Sequence, residues 1–155
     1  MKTLIVEDDP TCRLLLQQYL KRYGTVHVAV NGEEAVEAMR VALEVGKPYN
    51  LICLDIMMPE MDGQEALKEI RALEEAKGIW STNGAKVVMT TALGDMKNAC
   101  AAFGSLCDAY LVKPIDRSKL LETLRQLRLI EKAGSFRAAP VRRRPPHRAG
   151  GRVEQ

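Results

Sequence analysis

The chain has little of what several protein classes require. Aromatic residues make up 5% of its 155 residues, with one tryptophan, Trp80, so aliphatic side chains must fill any core. Cys12, Cys53, Cys100 and Cys107 form no CxxC pair and have no neighbouring histidine, which excludes the clustered ligands of a zinc site. Their aliphatic surroundings, as in Leu51-Ile52-Cys53-Leu54, make them small buried hydrophobes of a reducing compartment, and the expected location is the cytoplasm. No apolar run approaches the roughly 20 residues of a membrane helix. The start of the chain turns acidic at Glu7-Asp8-Asp9 after three apolar residues, against the roughly 7–15 of a signal peptide.

What is present fits a globular protein: 46% hydrophobic and 28% charged residues, in a length suited to one domain. The net charge of +3 conceals an asymmetry. Residues 136–155 carry +5, from six arginines against Glu154, and the remainder carries −2. The Arg/Pro/Gly-rich end lacks apolar periodicity and cannot bury enough surface to offset its ordering entropy. A folded domain over 1–133 and a disordered tail over 134–155 are expected.

Along the domain, short apolar runs alternate with amphipathic stretches. Thr3–Val6, Val26–Val30, Leu51–Leu54, Lys86–Thr90 and Ala109–Val112 are too short for helices and predict strands. Asp9-Pro10 opens a helix, with Asp as cap and Pro at the first helical position, and Cys12, Leu15, Leu16, Tyr19 and Leu20 form its apolar face. Similar stripes occur at Ala35–Leu43, Ala66–Leu73, Asp95–Phe103 and, after Asp116-Arg117-Ser118, at Leu120–Leu127. This alternation predicts an α/β fold, a doubly wound (βα)5 chain with a parallel sheet covered on both faces.

Polar groups fall where the apolar runs stop: Glu7 and Asp8 after strand 1, Asp55 after strand 3, Thr91 after strand 4, Lys113-Pro114 after strand 5. Ligands of open parallel sheets bind at the carboxyl ends of the strands. Taken singly, each acid would serve as a helix cap or a surface charge, Thr91 as a turn residue and Lys113 as a solvated cation. Taken together they converge. Three carboxylates at close range either raise a pKa or hold a cation, and an all-oxygen set selects Mg²⁺ or a similar hard ion. A carboxylate can also be a nucleophile, giving an aspartyl-phosphate, with the cation and a lysine neutralising the transferring group.

These residues resemble the receiver domains of two-component response regulators. The matching segments are Leu4–Asp9, Leu54-Asp55-Ile56-Met57-Met58-Pro59-Glu60-Met61-Asp62-Gly63, Met89–Ala92 and Tyr110–Pro114, and the likeness extends over about 1–131. The resemblance implies a flavodoxin-like, five-stranded sheet in the order 2-1-3-4-5. It makes Asp55 the phosphoacceptor. Asp8, Asp55 and the Met57 backbone carbonyl become Mg²⁺ ligands, with Glu7 acting mostly through water. Thr91 and Lys113 contact the phosphoryl oxygens, Lys113–Pro114 is cis, and Tyr110 is the switch aromatic, for which plain core packing is the alternative. The donor would be a sensor histidine kinase or a histidine phosphotransfer protein. The output would pass through the face of helix 4, strand 5 and helix 5, to an unknown target or a second copy. The positions two beyond the phosphoacceptor and two beyond the Thr, which border the approach of water, are Met57 and Leu93. The departures are a long 77–85 loop and a tail too short for an output domain, as in a stand-alone receiver or one cut from its output.

An enzymatic alternative, a phosphatase of the haloacid dehalogenase type, wants a second Asp two residues after the nucleophile, where this chain has Met57. Specific nucleic-acid binding by the tail is disfavoured, since no folded reader fits there. Neither His27, in a strand, nor His147, in the tail, is placed as a phosphodonor, so the chain is not the kinase.

Overall fold

Every apolar run becomes a strand and every amphipathic stripe a helix. The structure, a computed structural model, describes residues 1–58, 60–80, 83–103 and 106–132. The expected disordered tail lies outside the described residues. The elements are β1 (Thr3–Val6), α1 (Pro10–Leu20), β2 (Val26–Ala29), α2 (Gly32–Glu44), β3 (Leu51–Asp55), α3 (Gly63–Ala76), β4 (Lys86–Thr91), α4 (Met96–Phe103), β5 (Ala109–Val112) and α5 (Arg117–Gln126). All strand pairs are parallel, in the order β2-β1-β3-β4-β5.

Alternate residues of the strands feed two cores. Leu4, Val6, Ile52, Leu54, Val87 and Met89 pack with Ala35 and Met39 of α2 and Leu67 and Ile70 of α3. Ile5, Leu51, Cys53, Val88 and Leu111 face the other way, onto Leu16 and Leu20 of α1 and Leu120 and Leu124 of α5. Burying each such aliphatic side chain stabilises the fold by about 1.5–3 kcal/mol. The central β1 and β3 are buried along their whole length, as expected for strands covered on both faces.

Among the described residues, four helices begin on a side-chain cap. Asp9 accepts from the Thr11 amide, Asn31 from Glu34, Asp62 from Glu65 and Asp116 from Lys119. The α4 segment is shorter than the expected 95–103 helix, because Leu93–Asp95 forms a separate 3-10 turn ahead of Met96. The expectation for cysteine needs correction. Cys53 is buried in the sheet, but Cys12 and Cys107 are half-buried, since they sit at a helix start and before a strand rather than within the core.

One buried polar network escaped the sequence reading. Arg71 of α3 donates to Glu74 (2.6 Å), to the carbonyls of Ala85 (2.8 Å) and Leu106 (2.9 Å), and to Asp108 (3.2 Å). Glu74 and Asp108 in turn accept from the amides of Ala85 and Val87. The guanidinium thus fastens α3 to the starts of β4 and β5, with its charge and most of its donors satisfied.

Candidate functional site

The carboxyl ends of β1, β3, β4 and β5 bring the polar residues together. Two of them lie one step earlier than the sequence places them: Asp55 is the last residue of β3 and Thr91 the last of β4, inside the ladder rather than after it. Their backbone groups are held by the sheet edge. The Ile56 amide donates to the Thr90 carbonyl (3.1 Å) and the Lys113 amide to the Thr91 carbonyl (2.7 Å). Glu7 follows β1, its amide donating to the Ala29 carbonyl (3.1 Å).

Asp55 is 4% exposed and Glu7 1% exposed, whereas Asp8 faces solvent. One carboxylate oxygen from each of the three lies within 4.8 Å of the others. The Met57 amide donates to Asp55 Oδ1 (3.1 Å), and Lys113 Nζ donates to Asp55 Oδ2 (3.0 Å). Lys113 Nζ also approaches Glu7 Oε2 to 2.9 Å. That approach is an ion pair off the hydrogen-bonding direction, and among the described residues the buried Oε2 atom accepts no hydrogen bond.

Burial pushes the Glu7 carboxyl up to about 7; the Lys113 ammonium opposes the rise and the Asp55 charge adds to it. Burial also works against the Lys113 charge, but the contacts with Glu7 and Asp55 outweigh it and hold Lys113 above its ordinary value. Three acids facing one ammonium leave a surplus of negative charge, and the buried Glu7 Oε2 has that ammonium as its charged neighbour. That donor set fits a hard divalent cation.

Gly63 explains how the loop after Asp55 stays close. Its amide donates to the Ile56 carbonyl (3.0 Å), and a Cβ there would collide with the Asp55 carbonyl oxygen. Only glycine admits that approach. Met57 and Leu93 are 68% and 78% exposed. Thr91 is buried, and among the described residues its hydroxyl makes a long 3.4 Å contact to the Ala92 carbonyl. Tyr110 of β5 is half-buried, its hydroxyl donating to the Ala99 carbonyl of α4 (3.3 Å). The Lys113–Pro114 peptide bond is cis.

The family model for the response regulator receiver domain matches residues 3–125. The chain belongs to this family. As a receiver domain it is 34% identical over 125 residues to the transcriptional regulatory protein SrrA of Staphylococcus aureus (strain NCTC 8325 / PS 47), covering 80% of this chain and 46% of that protein. The chain therefore spans about half the length of the curated relatives it matches. Among solved structures, a putative response regulator from Chloroflexus aurantiacus is similar with TM-score 0.67 and 29% identity, covering 81% of this chain and 95% of that one. The receiver domain of sensor histidine kinase PA1611 from Pseudomonas aeruginosa, solved with a magnesium ion in its active site cleft, aligns with TM-score 0.64 and 25% identity over 81% and 94% of the two chains. Chemotaxis protein CheY4 of Vibrio cholerae aligns with TM-score 0.61 and 26% identity over 81% and 96%. Receiver domains are signalling modules of two-component systems that meet histidine kinases and phosphotransfer proteins.

The sequence reading named the acids, the threonine and the lysine. It missed Gly63 as a spacing device and Arg13, whose guanidinium lies against the backbone of the two β1-end acids. Only a weak signal pointed to Arg13: a cation in the first turns of a helix, where the macrodipole disfavours one.

Proposed function

We propose that this receiver domain is a phosphoryl-accepting switch in which Asp55 takes a phosphoryl group from the phosphohistidine of a sensor kinase or phosphotransfer protein. The observation that carries the reading is the Lys113–Asp55 hydrogen bond of 3.0 Å set beside the Glu7, Asp8 and Asp55 carboxylates. An Asp55 oxygen attacks phosphorus, the P–N bond breaks, and the departing imidazole regains its proton from solvent. Lys113 orients the Asp55 carboxylate and offsets charge on the transferring group. Glu7, Asp8, Asp55 and the Met57 carbonyl are the groups that would hold Mg²⁺, which supplies charge neutralisation when bound.

The Thr91 hydroxyl, with its weak local partner, is free to turn toward a phosphoryl oxygen. That contact would exist only in the phosphorylated state, which is what an equilibrium shift requires. Tyr110, tied to α4, would follow and reshape the α4-β5-α5 face, where a target or a second copy docks. A cytoplasmic setting agrees with the free thiols of Cys12 and Cys53. Incubation with a small acyl phosphate and Mg²⁺, followed by mass spectrometry, should add one phosphoryl group to the wild type and none to Asp55→Asn. Equal labelling of the variant would overturn the assignment.

A further inference from the structure

Arg13 lies in the second turn of α1, and nothing in helix energetics accounts for it. The N-terminal end of a helix carries partial positive charge and favours anions. Arg13 joins the helix through its own amide, which donates to the Asp9 carbonyl (2.9 Å). Its side chain then turns back over the first turn, the direction helical side chains take. One guanidinium nitrogen, Nη1, donates to the Glu7 carbonyl (3.0 Å) and, at the long limit of 3.5 Å, to the Asp8 carbonyl.

From the same helix start, the Asp9 amide donates to Glu7 Oε1 (3.2 Å). The Asp9 carboxylate is occupied with the Thr11 amide and the Cys12 thiol. Glu7 is therefore held at four points: its amide by β2, its carbonyl by Arg13, one carboxylate oxygen by the Asp9 amide, and the other, Oε2, by the Lys113 ammonium at 2.9 Å. The two acids are adjacent in sequence yet one is buried and the other exposed. Their carboxylates can meet Asp55 only if the backbone between them is fixed.

We infer that Arg13 is a positioning residue: its guanidinium clamps the Glu7 and Asp8 carbonyls and so aims both carboxylates at the divalent-cation cleft. The inference rests on reading that cleft as a Mg²⁺ site. Groups that orient metal ligands without touching the ion typically change affinity by about 10–100-fold when removed. Arg13 acts through the main chain, so the low end of that range applies.

The test uses the full chain. Arg13→Met keeps the aliphatic stem and removes every donor; Arg13→Lys restores a charged donor. Mg²⁺ affinity is measured by calorimetry at fixed pH, folding by circular dichroism in EDTA, and amide exchange at Asp9 in the metal-free protein. Arg13→Met should bind Mg²⁺ about tenfold more weakly while remaining folded, with faster exchange at Asp9, and Arg13→Lys should fall between it and wild type. Wild-type affinity in Arg13→Met would overturn the inference. So would a loss that merely follows its unfolded fraction, or an Arg13→Lys variant no better than Arg13→Met. A wild type that bound no Mg²⁺ would sink the reading of the cleft and this inference with it, whereas a binding wild type beside an unaffected Arg13→Met sinks the inference alone.

Discussion

Lys113 Nζ stands 3.0 Å from Asp55 Oδ2 and 2.9 Å from Glu7 Oε2, bridging two buried acids that are 48 positions apart in the chain. The ammonium and a divalent cation held by the same carboxylates would draw on the same negative charge, so the two cations compete. In Lys113→Met, Mg²⁺ should bind several-fold more tightly at pH 8, while transfer from an acyl phosphate should slow by about 10²-fold for want of the oriented charge. Calorimetry and labelling rates check the two arms; weaker Mg²⁺ binding with faster transfer would contradict the competition.

The two positions that the family resemblance sets beside the approach of water, Met57 and Leu93, carry a second expectation. Hydrolysis of an aspartyl-phosphate needs a water in line with the breaking bond. Met57 and Leu93, both exposed and apolar, have no group to hold that water. The double variant Met57→Asn, Leu93→Glu should therefore lose its phosphoryl group about tenfold faster, within the usual range for placing a water by a polar or acid–base group. Decay followed after removal of donor tests this, and an unchanged lifetime would count against it.

Stability of the metal-free protein should depend on Glu7. Its folded pKa of about 7 lies above the ordinary value of 4.5, so between these limits the folded state holds the proton more tightly than the unfolded chain does. The contribution of this group is thus most favourable below about 4.5 and is lost as pH rises through about 7. Urea unfolding in EDTA across that window should show the decline, and Glu7→Gln should flatten it. The same slope in both proteins would remove Glu7 as its source.

The Arg71 network bears on the fold rather than the chemistry. Arg71→Ala would strand the buried Glu74 carboxylate and leave the Ala85 and Leu106 carbonyls without their donor. Removing one partner from such a buried set costs about 3–5 kcal/mol. Urea midpoints read the loss, and a change under about 1 kcal/mol would show that water replaces the guanidinium freely.

The sequence by itself determined the element order, because each strand and helix is signalled by a local pattern: uninterrupted apolar runs such as Leu51–Leu54, and stripes at helical spacing such as Leu120, Leu121 and Leu124. It also determined the starts of α1 and α5, since an Asp cap acts on an amide two or three residues away. The convergence of Glu7, Asp8, Asp55 and Lys113 was legible too, because parallel topology carries every strand end to one edge. Only the tertiary structure decided which of those acids is buried, that Thr91 and Asp55 belong to the strands, and that Lys113 lies between two carboxylates. It alone joined Arg71 to Leu106 and Asp108, 35 and 37 residues on, and turned Arg13 back onto the β1 end. The reason is one of range: propensity and periodicity report on neighbours a few residues apart. A buried charge chooses partners by three-dimensional proximity, which no local pattern encodes.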